Sequence, residues 1–177
     1  MVYALLAEGF EESELVVPVD LLMRGGAQVK LVGVNSKMVV GTHGITLTAD
    51  CLLQDLNTED MELLFLPGGQ PGVDNLWKSD AVRDLVSQTA EKGIPIAAIC
   101  AAPMILGRLG LLNGKQAVCF PGCEGDLQGA EVLTVKAVCD GNFITGKAAG
   151  AVFEFAAEML KKLGLDAGRV LKAVYYV

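Results

Sequence analysis

The chain has a single histidine, His43, in 177 residues, and only 6% of it is aromatic. An aromatic-poor sequence rich in Ala, Val, Leu and Gly suits helices packed closely on a sheet better than two sheets packed face to face. Positive charge is also scarce: 14 Lys and Arg stand against 21 Asp and Glu, a formal net charge of -7. Nucleic acids and anionic membranes are bound through clustered cations, so neither is expected as a partner. The longest charge-free run, "GIPIAAICAAPMILG", is interrupted by Pro95 and Pro103 and is too short to span a bilayer. The start, "MVYALLAEGFEE", lacks the positive charge and long apolar stretch of a signal peptide, which makes a cytoplasmic location the expectation. Five cysteines at irregular spacing are no disulfide framework. Cys119 and Cys123 in "CFPGC" have the spacing of half a zinc site, but no second cysteine pair is near and the lone histidine lies elsewhere, so no metal is expected.

What is present is a strong alternation of strand-length and helix-length segments. With 52% hydrophobic residues the chain can bury one sizeable core, and one domain over residues 1–177 is expected. "VYALLA" reads as a buried strand, and "EESELVVPVDLLMRGG" as a helix with Leu15, Val19 and Leu22 on one face and Gly25 and Gly26 at its end. "QVKLVGV" is a second strand, "MVVGTHGITLTAD" a short hairpin, and "ELLFLPGG" a strand running into a double-glycine turn. Ser79 is placed to cap a helix over "DAVRDLVSQTAEKG", with Val82, Leu85, Val86 and Thr89 on its inner face and Gly93 as its stop. "IPIAAI" (94–99) is the next strand, followed by a helix that takes Pro103 in its first turn. "LTVKAVCDGNFITG" is a hairpin about Asp140-Gly141. "AAGAVFEFAAEMLKKLG" is a helix with Phe153, Ala156, Met159, Leu160 and Leu163 inward and a Glu158–Lys162 ion pair outside. This order predicts an α/β fold: a mostly parallel sheet with helices on both faces.

In such sheets ligands bind beyond the C-terminal ends of the strands, and three notable groups fall there. Cys100, at the end of "IPIAAI", has Ala98 and Ala102 two places to either side, which meets the small-residue requirement of a nucleophile elbow. A thiol there sits at a helix N-terminus, which favours the thiolate. A small buried hydrophobe accounts for the same residue, and both readings stand on the pattern alone. "FEESE" supplies Glu11, Glu12 and Glu14 in a first helical turn, where acids are favoured by the dipole in any case. Glu14 leads the face that continues through Pro18, and is the one placed to turn inward and share a proton with Cys100. The amides of Gly68, Gly69 and Ala101 are candidates for an oxyanion hole. His43 falls in the hairpin and reads as a surface residue, which leaves a Cys-His dyad without its base.

"LLAEGFEESELVVPVDLLMRGG", "LLFLPGGQPGVDNL", "IPIAAICAAP" and "FITGKAAGAVFEFA" together resemble the ThiJ/PfpI superfamily, in the branch of the parkinsonism-associated protein deglycase. The resemblance covers nearly the whole chain. It implies a flavodoxin-like three-layer sandwich, a homodimer, and an easily oxidised elbow cysteine, Cys100, hydrogen-bonded to a protonated glutamate, Glu14. It also implies a dimer contact near Arg24. Three positions depart from the pattern. Ala101 stands where peptidase and amidase relatives carry histidine after the nucleophile; Phe120 precedes Pro121 where many members of the branch have histidine; and "GKAAGA", with Lys147, replaces an R-G-P-G-T type of segment beside the substrate. The function implied is a cofactor-free glyoxalase or deglycase acting on small α-oxoaldehydes, rather than a peptidase. The alternative is a redox-responsive protein whose Cys100 oxidises to a sulfinate.

Overall fold

The computed structural model describes residues 1–176. The chain runs through β1 (Val2–Leu6), α1 (Glu12–Gly25) and β2 (Val29–Gly33), then a hairpin of β3 (Met38–Val40) and β4 (Thr46–Thr48) and a short β5 (Cys51–Leu52). It continues as β6 (Leu63–Leu66), α2 (Gly72–Lys78), α3 (Asp80–Glu91), β7 (Ile96–Ile99) and α4 (Pro103–Arg108). Two short strands, β8 (Gln116–Ala117) and β9 (Glu131–Val132), lead to β10 (Ala137–Asp140), β11 (Phe143–Gly146), α5 (Val152–Lys162) and α6 (Ala167–Ala173).

The helix ends follow local chemistry. Glu11 caps α1 by accepting the Glu14 amide at 2.6 Å, and Gly26, with φ 98°, closes the helix in the left-handed region that glycine enters freely. Ser79 caps α3 through the Val82 amide, and Pro103 opens α4, where a missing N–H costs nothing.

Seven strands form one sheet in the order β10-β11-β7-β6-β1-β2-β5, parallel throughout except for the β10–β11 hairpin. Because successive side chains of a strand point to opposite faces, each buried strand feeds two cores. Ala4, Leu6, Leu63, Phe65, Ala97 and Ile99 pack under α1, α5 and α6, where Phe65 and Phe155 meet with ring centroids 5.6 Å apart. Leu5, Leu64, Leu66, Ile96 and Ala98 pack under α2, α3 and α4. The expected three-layer, flavodoxin-like α/β sandwich is therefore present. The switch in strand order falls at β1, which has β2 on one side and β6 on the other. The C-terminal ends of β1, β6 and β7 thus open beside one another.

Several local expectations need correction. Glu158 pairs with Lys161 at 2.7 Å, one position earlier than expected, because i+3 lies on the same helix face as i+4 and Lys162 is drawn to the Gly141 carbonyl at the β10–β11 turn. Phe153 and Leu163 are half-buried, Phe153 stacking on Tyr176 at the flank of the core. The strand before Cys100 begins at Ile96, two residues later than expected. Helices α2 and α6 were not anticipated. No helix among the described residues is long and apolar enough to cross a membrane.

Candidate active site

Cys100 is the first residue past β7, and its φ of 65° puts a side-chain-bearing residue in the left-handed region. Such a conformation costs about 1–3 kcal/mol and persists only where neighbours hold it. Here they do: the Cys100 amide donates to the Gly146 carbonyl at 2.9 Å, and the Cys100 carbonyl accepts the Phe120 amide at 2.7 Å. Ala98 and Ala102 are fully buried on either side, in agreement with the steric rule that marked them in the sequence.

Glu14, on the first turn of α1, is 1% exposed and turns inward toward Cys100. Its Oε2 is buried with no hydrogen-bond partner among the described residues, and the Cys100 side chain neighbours the carboxyl across Gly68. Gly68 lies between the two, and a methyl group there would collide with both the Glu14 carboxyl and the Cβ of Cys100. The missing side chain, more than the amide, is what the site needs from Gly68. Its carbonyl is committed to the Glu11 amide at 2.9 Å. The amides of Gly69 and Ala101 are the ones directed at the Cys100 sulfur.

Burial pushes the Glu14 carboxyl up to about 7; the Cys100 hydrogen bond opposes the rise, the Glu11 charge adds to it, and the Ala149 amide opposes it. Burial also pushes the Cys100 thiol up, to about 12, with the Glu14 charge and hydrogen bond adding to the rise and the Gly69 and Ala101 amides opposing it. The two groups titrate as one unit. Two protons are held in acid, and a single proton is held across the interval from about 7 to about 12. The sequence argument placed the thiol at a helix N-terminus, whose dipole favours the thiolate; that helix has only six residues, and burial beside a carboxyl opposes it.

The remaining sequence candidates are more peripheral. Phe120 is 46% exposed although large and apolar, and it follows the buried Cys119; Pro121 is exposed beside it. Lys147 is half-buried, with its amide on the Lys136 carbonyl at 2.9 Å. Arg24 is exposed in the last turn of α1 and pairs with Asp20 at 2.7 Å. His43 is a surface residue, as expected, and its Nδ1 lies 2.9 Å from Glu12 Oε2. The nearly buried Glu12 also accepts the His43 and Ile45 amides, and so pins the β3–β4 hairpin to α1. Ligand atoms of Glu11, Glu12 and His43 lie within 4.8 Å of one another, but Glu11 is occupied by the Glu14 amide and Ser13 hydroxyl and Glu12 by the hairpin. The sequence reading missed the roles of Ala149, Gly146 and Phe120 as backbone partners of the Glu14–Cys100 unit. Amides and carbonyls are common to all residues, so no residue-type signal marked them.

Fold and site share the layout of a nucleophile-elbow α/β protein with cysteine as the elbow residue. The chain belongs to the DJ-1/PfpI family, whose model matches residues 1–162. It is 35% identical over 161 residues to protein DJ-1 homolog B of Arabidopsis thaliana, covering 89% of this chain but only 37% of that protein's length. A Pyrococcus abyssi protein named as a deglycase is 27% identical over 164 residues, covering 92% of this chain and 98% of the relative. Among solved structures, a DJ-1 superfamily protein from Salmonella typhimurium superposes with a TM-score of 0.93 at 34% identity, over 99% of this chain and 98% of that one.

The Glu14 shift has a consequence for stability. The folded Glu14–Cys100 pair gives up its first proton only near about 7, whereas the Glu14 carboxyl of the unfolded chain loses its own near 4.5. The pair's contribution to stability therefore falls as pH rises from about 4.5 through about 7. Glu14→Gln, which has no proton to lose, is expected to gain Tm relative to wild type over that interval. Calorimetry at a series of pH values checks this, and a Tm difference independent of pH contradicts it.

Proposed function

We propose that the protein is a cysteine-dependent, cofactor-free enzyme of glyoxalase or deglycase type, acting on small α-oxoaldehydes or their adducts. The observation that carries this reading is the unpartnered Glu14 Oε2 facing Cys100. An ionised carboxylate there has no donor for one oxygen, whereas a neutral carboxyl can donate its proton to sulfur. The sulfur meets two amides, those of Gly69 and Ala101. Those contacts favour a thiolate beside a protonated acid as the one-proton state.

From that state the chemistry follows. The Cys100 sulfur adds to the aldehyde carbon, forming a C–S bond and sending the carbonyl π electrons onto oxygen. The Gly69 and Ala101 amides stabilise that oxyanion until it takes the Glu14 proton to give a hemithioacetal. The Glu14 carboxylate then removes the proton from this carbon and returns one to the adjacent carbon, converting the adduct to a thioester of a 2-hydroxy acid. Water attacks the thioester, releases the hydroxy acid and restores the thiol. The balance is one aldehyde plus one water to one hydroxy acid, with no external oxidant or reductant. Phe120, Pro121 and Lys147 are assigned to the substrate's surroundings. Ala101 in place of a histidine removes the base that peptide hydrolysis needs. The family membership and the deglycase-named relative support the reaction class. Because the same amides and carboxyl suit the oxygens of a sulfinate, the redox-responsive reading remains the alternative, distinguished by the absence of turnover.

Purified protein is expected to convert methylglyoxal to lactate. Cys100→Ala abolishes the reaction, and Glu14→Gln lowers kcat by about 10²–10⁴-fold, the usual worth of a positioned acid–base group. Stopped assays of lactate check this, and wild-type rates in Cys100→Ala contradict it.

We also propose a homodimer formed through α1. Leu15, Val16, Val19, Met23, Leu31 and Leu47 line an apolar groove of about 280 Å³, and Val16 and Met23 are 46% and 58% exposed. Arg24 and Asp20 border the same helix face. Sedimentation is expected to give twice the 18.6 kDa chain mass, and Val16→Asp to give the monomer. A wild-type monomer at micromolar concentration contradicts the assignment.

A further inference from the structure

Thr145, in β11, has a fully buried polar side chain to which no role at the site has yet been given. Its Oγ1 accepts the Val118 amide at 2.9 Å in a buried setting. Val118 belongs to the irregular stretch after β8, which no strand pairing holds at this point. The hydroxyl therefore does for residue 118 what a neighbouring strand's carbonyl would do. Two residues on, the Phe120 amide donates to the Cys100 carbonyl at 2.7 Å.

That carbonyl and the Ala101 N–H belong to one planar peptide unit, so fixing the oxygen fixes the direction of the hydrogen. The Ala101 N–H is one of the two amides directed at the Cys100 sulfur. The next residue of β11, Gly146, accepts the Cys100 amide at 2.9 Å and holds the preceding peptide unit. Adjacent residues of one strand thus clamp both peptide planes of the strained elbow, Gly146 directly and Thr145 through residues 118–120.

We propose that Thr145 is a positioning residue for Cys100: its hydroxyl anchors residues 118–120 so that the Phe120 amide orients the Cys100–Ala101 peptide and aims the Ala101 N–H at the sulfur. The inference rests on the reading of Cys100 as the reactive thiol. Thr145→Val keeps the shape and removes the acceptor, leaving the Val118 amide buried and unpaired. Thr145→Ser keeps the acceptor.

The test is the rate of Cys100 alkylation by iodoacetamide against pH, located by peptide mass mapping, in wild type, Thr145→Val and Thr145→Ser. Thr145→Val is expected to lower the rate at pH 8 about tenfold and move the alkylation midpoint to higher pH, the scale of one hydrogen bond lost to a charged group. Thr145→Ser is expected to restore the wild-type profile. A folded Thr145→Val with lower Tm but an unchanged profile assigns Thr145 a purely structural role and overturns the proposal. Should Thr145→Val not fold, amide exchange in the wild-type protein decides: Val118 and Phe120 protected as well as β7 support the clamp, and fast exchange at either overturns it. An unreactive Cys100 in wild type would instead remove the functional reading, and exchange alone would then judge the clamp.

Discussion

Two acids that touch inside a protein have room for one negative charge, and Glu14 and Cys100 are such a pair. Glu14 is 1% exposed, and its Oε2 is buried with no hydrogen-bond partner among the described residues. Burial raises both groups; the Glu14 charge adds to the rise of the thiol, while the Cys100 hydrogen bond opposes that of the carboxyl. The rest of the site bears on where that single charge rests: the Gly69 and Ala101 amides lower the thiol, Gly68 allows the two side chains to approach, and the elbow backbone holds Cys100 in place.

The fold supplies these parts from strand ends that lie together only because of the sheet order. Glu14 follows β1, Gly68 and Gly69 follow β6, and Cys100 follows β7, three neighbouring strands whose C-terminal ends share one edge. The antiparallel β10–β11 hairpin at the side of the sheet adds the Gly146 carbonyl through its pairing with β7. Flexibility is excluded where it would matter most, since the strands beneath the site are fully buried and packed from both faces. A strained residue can be held there because the surrounding elements cannot yield.

Much of this was legible in the sequence where the requirement was local. Small residues around a thiol at a strand end marked the elbow, because Ala98 and Ala102 are constrained by sterics within five residues of chain. Glu14 was separable from Glu11 and Glu12 by helix phase, and indeed Glu11 caps the helix while Glu12 holds the hairpin. The requirements that act across the chain were not legible. A helix dipole is visible in a sequence, whereas the degree to which burial raises both groups of the pair is not. Two-residue strands such as β8 are too short to show a period, and α2 begins in a Pro71-Gly72 pair that resembles a turn. The backbone partners at Gly146, Phe120 and Ala149 come from remote segments and carry no side-chain signature.

The central claim is that one proton is shared by Glu14 and Cys100 and rests on the carboxyl, with the charge on sulfur. Infrared difference spectroscopy of wild type against Glu14→Gln, at a pH between about 7 and about 12 where the pair holds one proton, reads the proton's place directly. The account predicts the carbonyl stretch of a neutral carboxylic acid in wild type, lost in Glu14→Gln, and no S–H stretch from Cys100. A carboxylate band for Glu14 together with a Cys100 S–H stretch would contradict it.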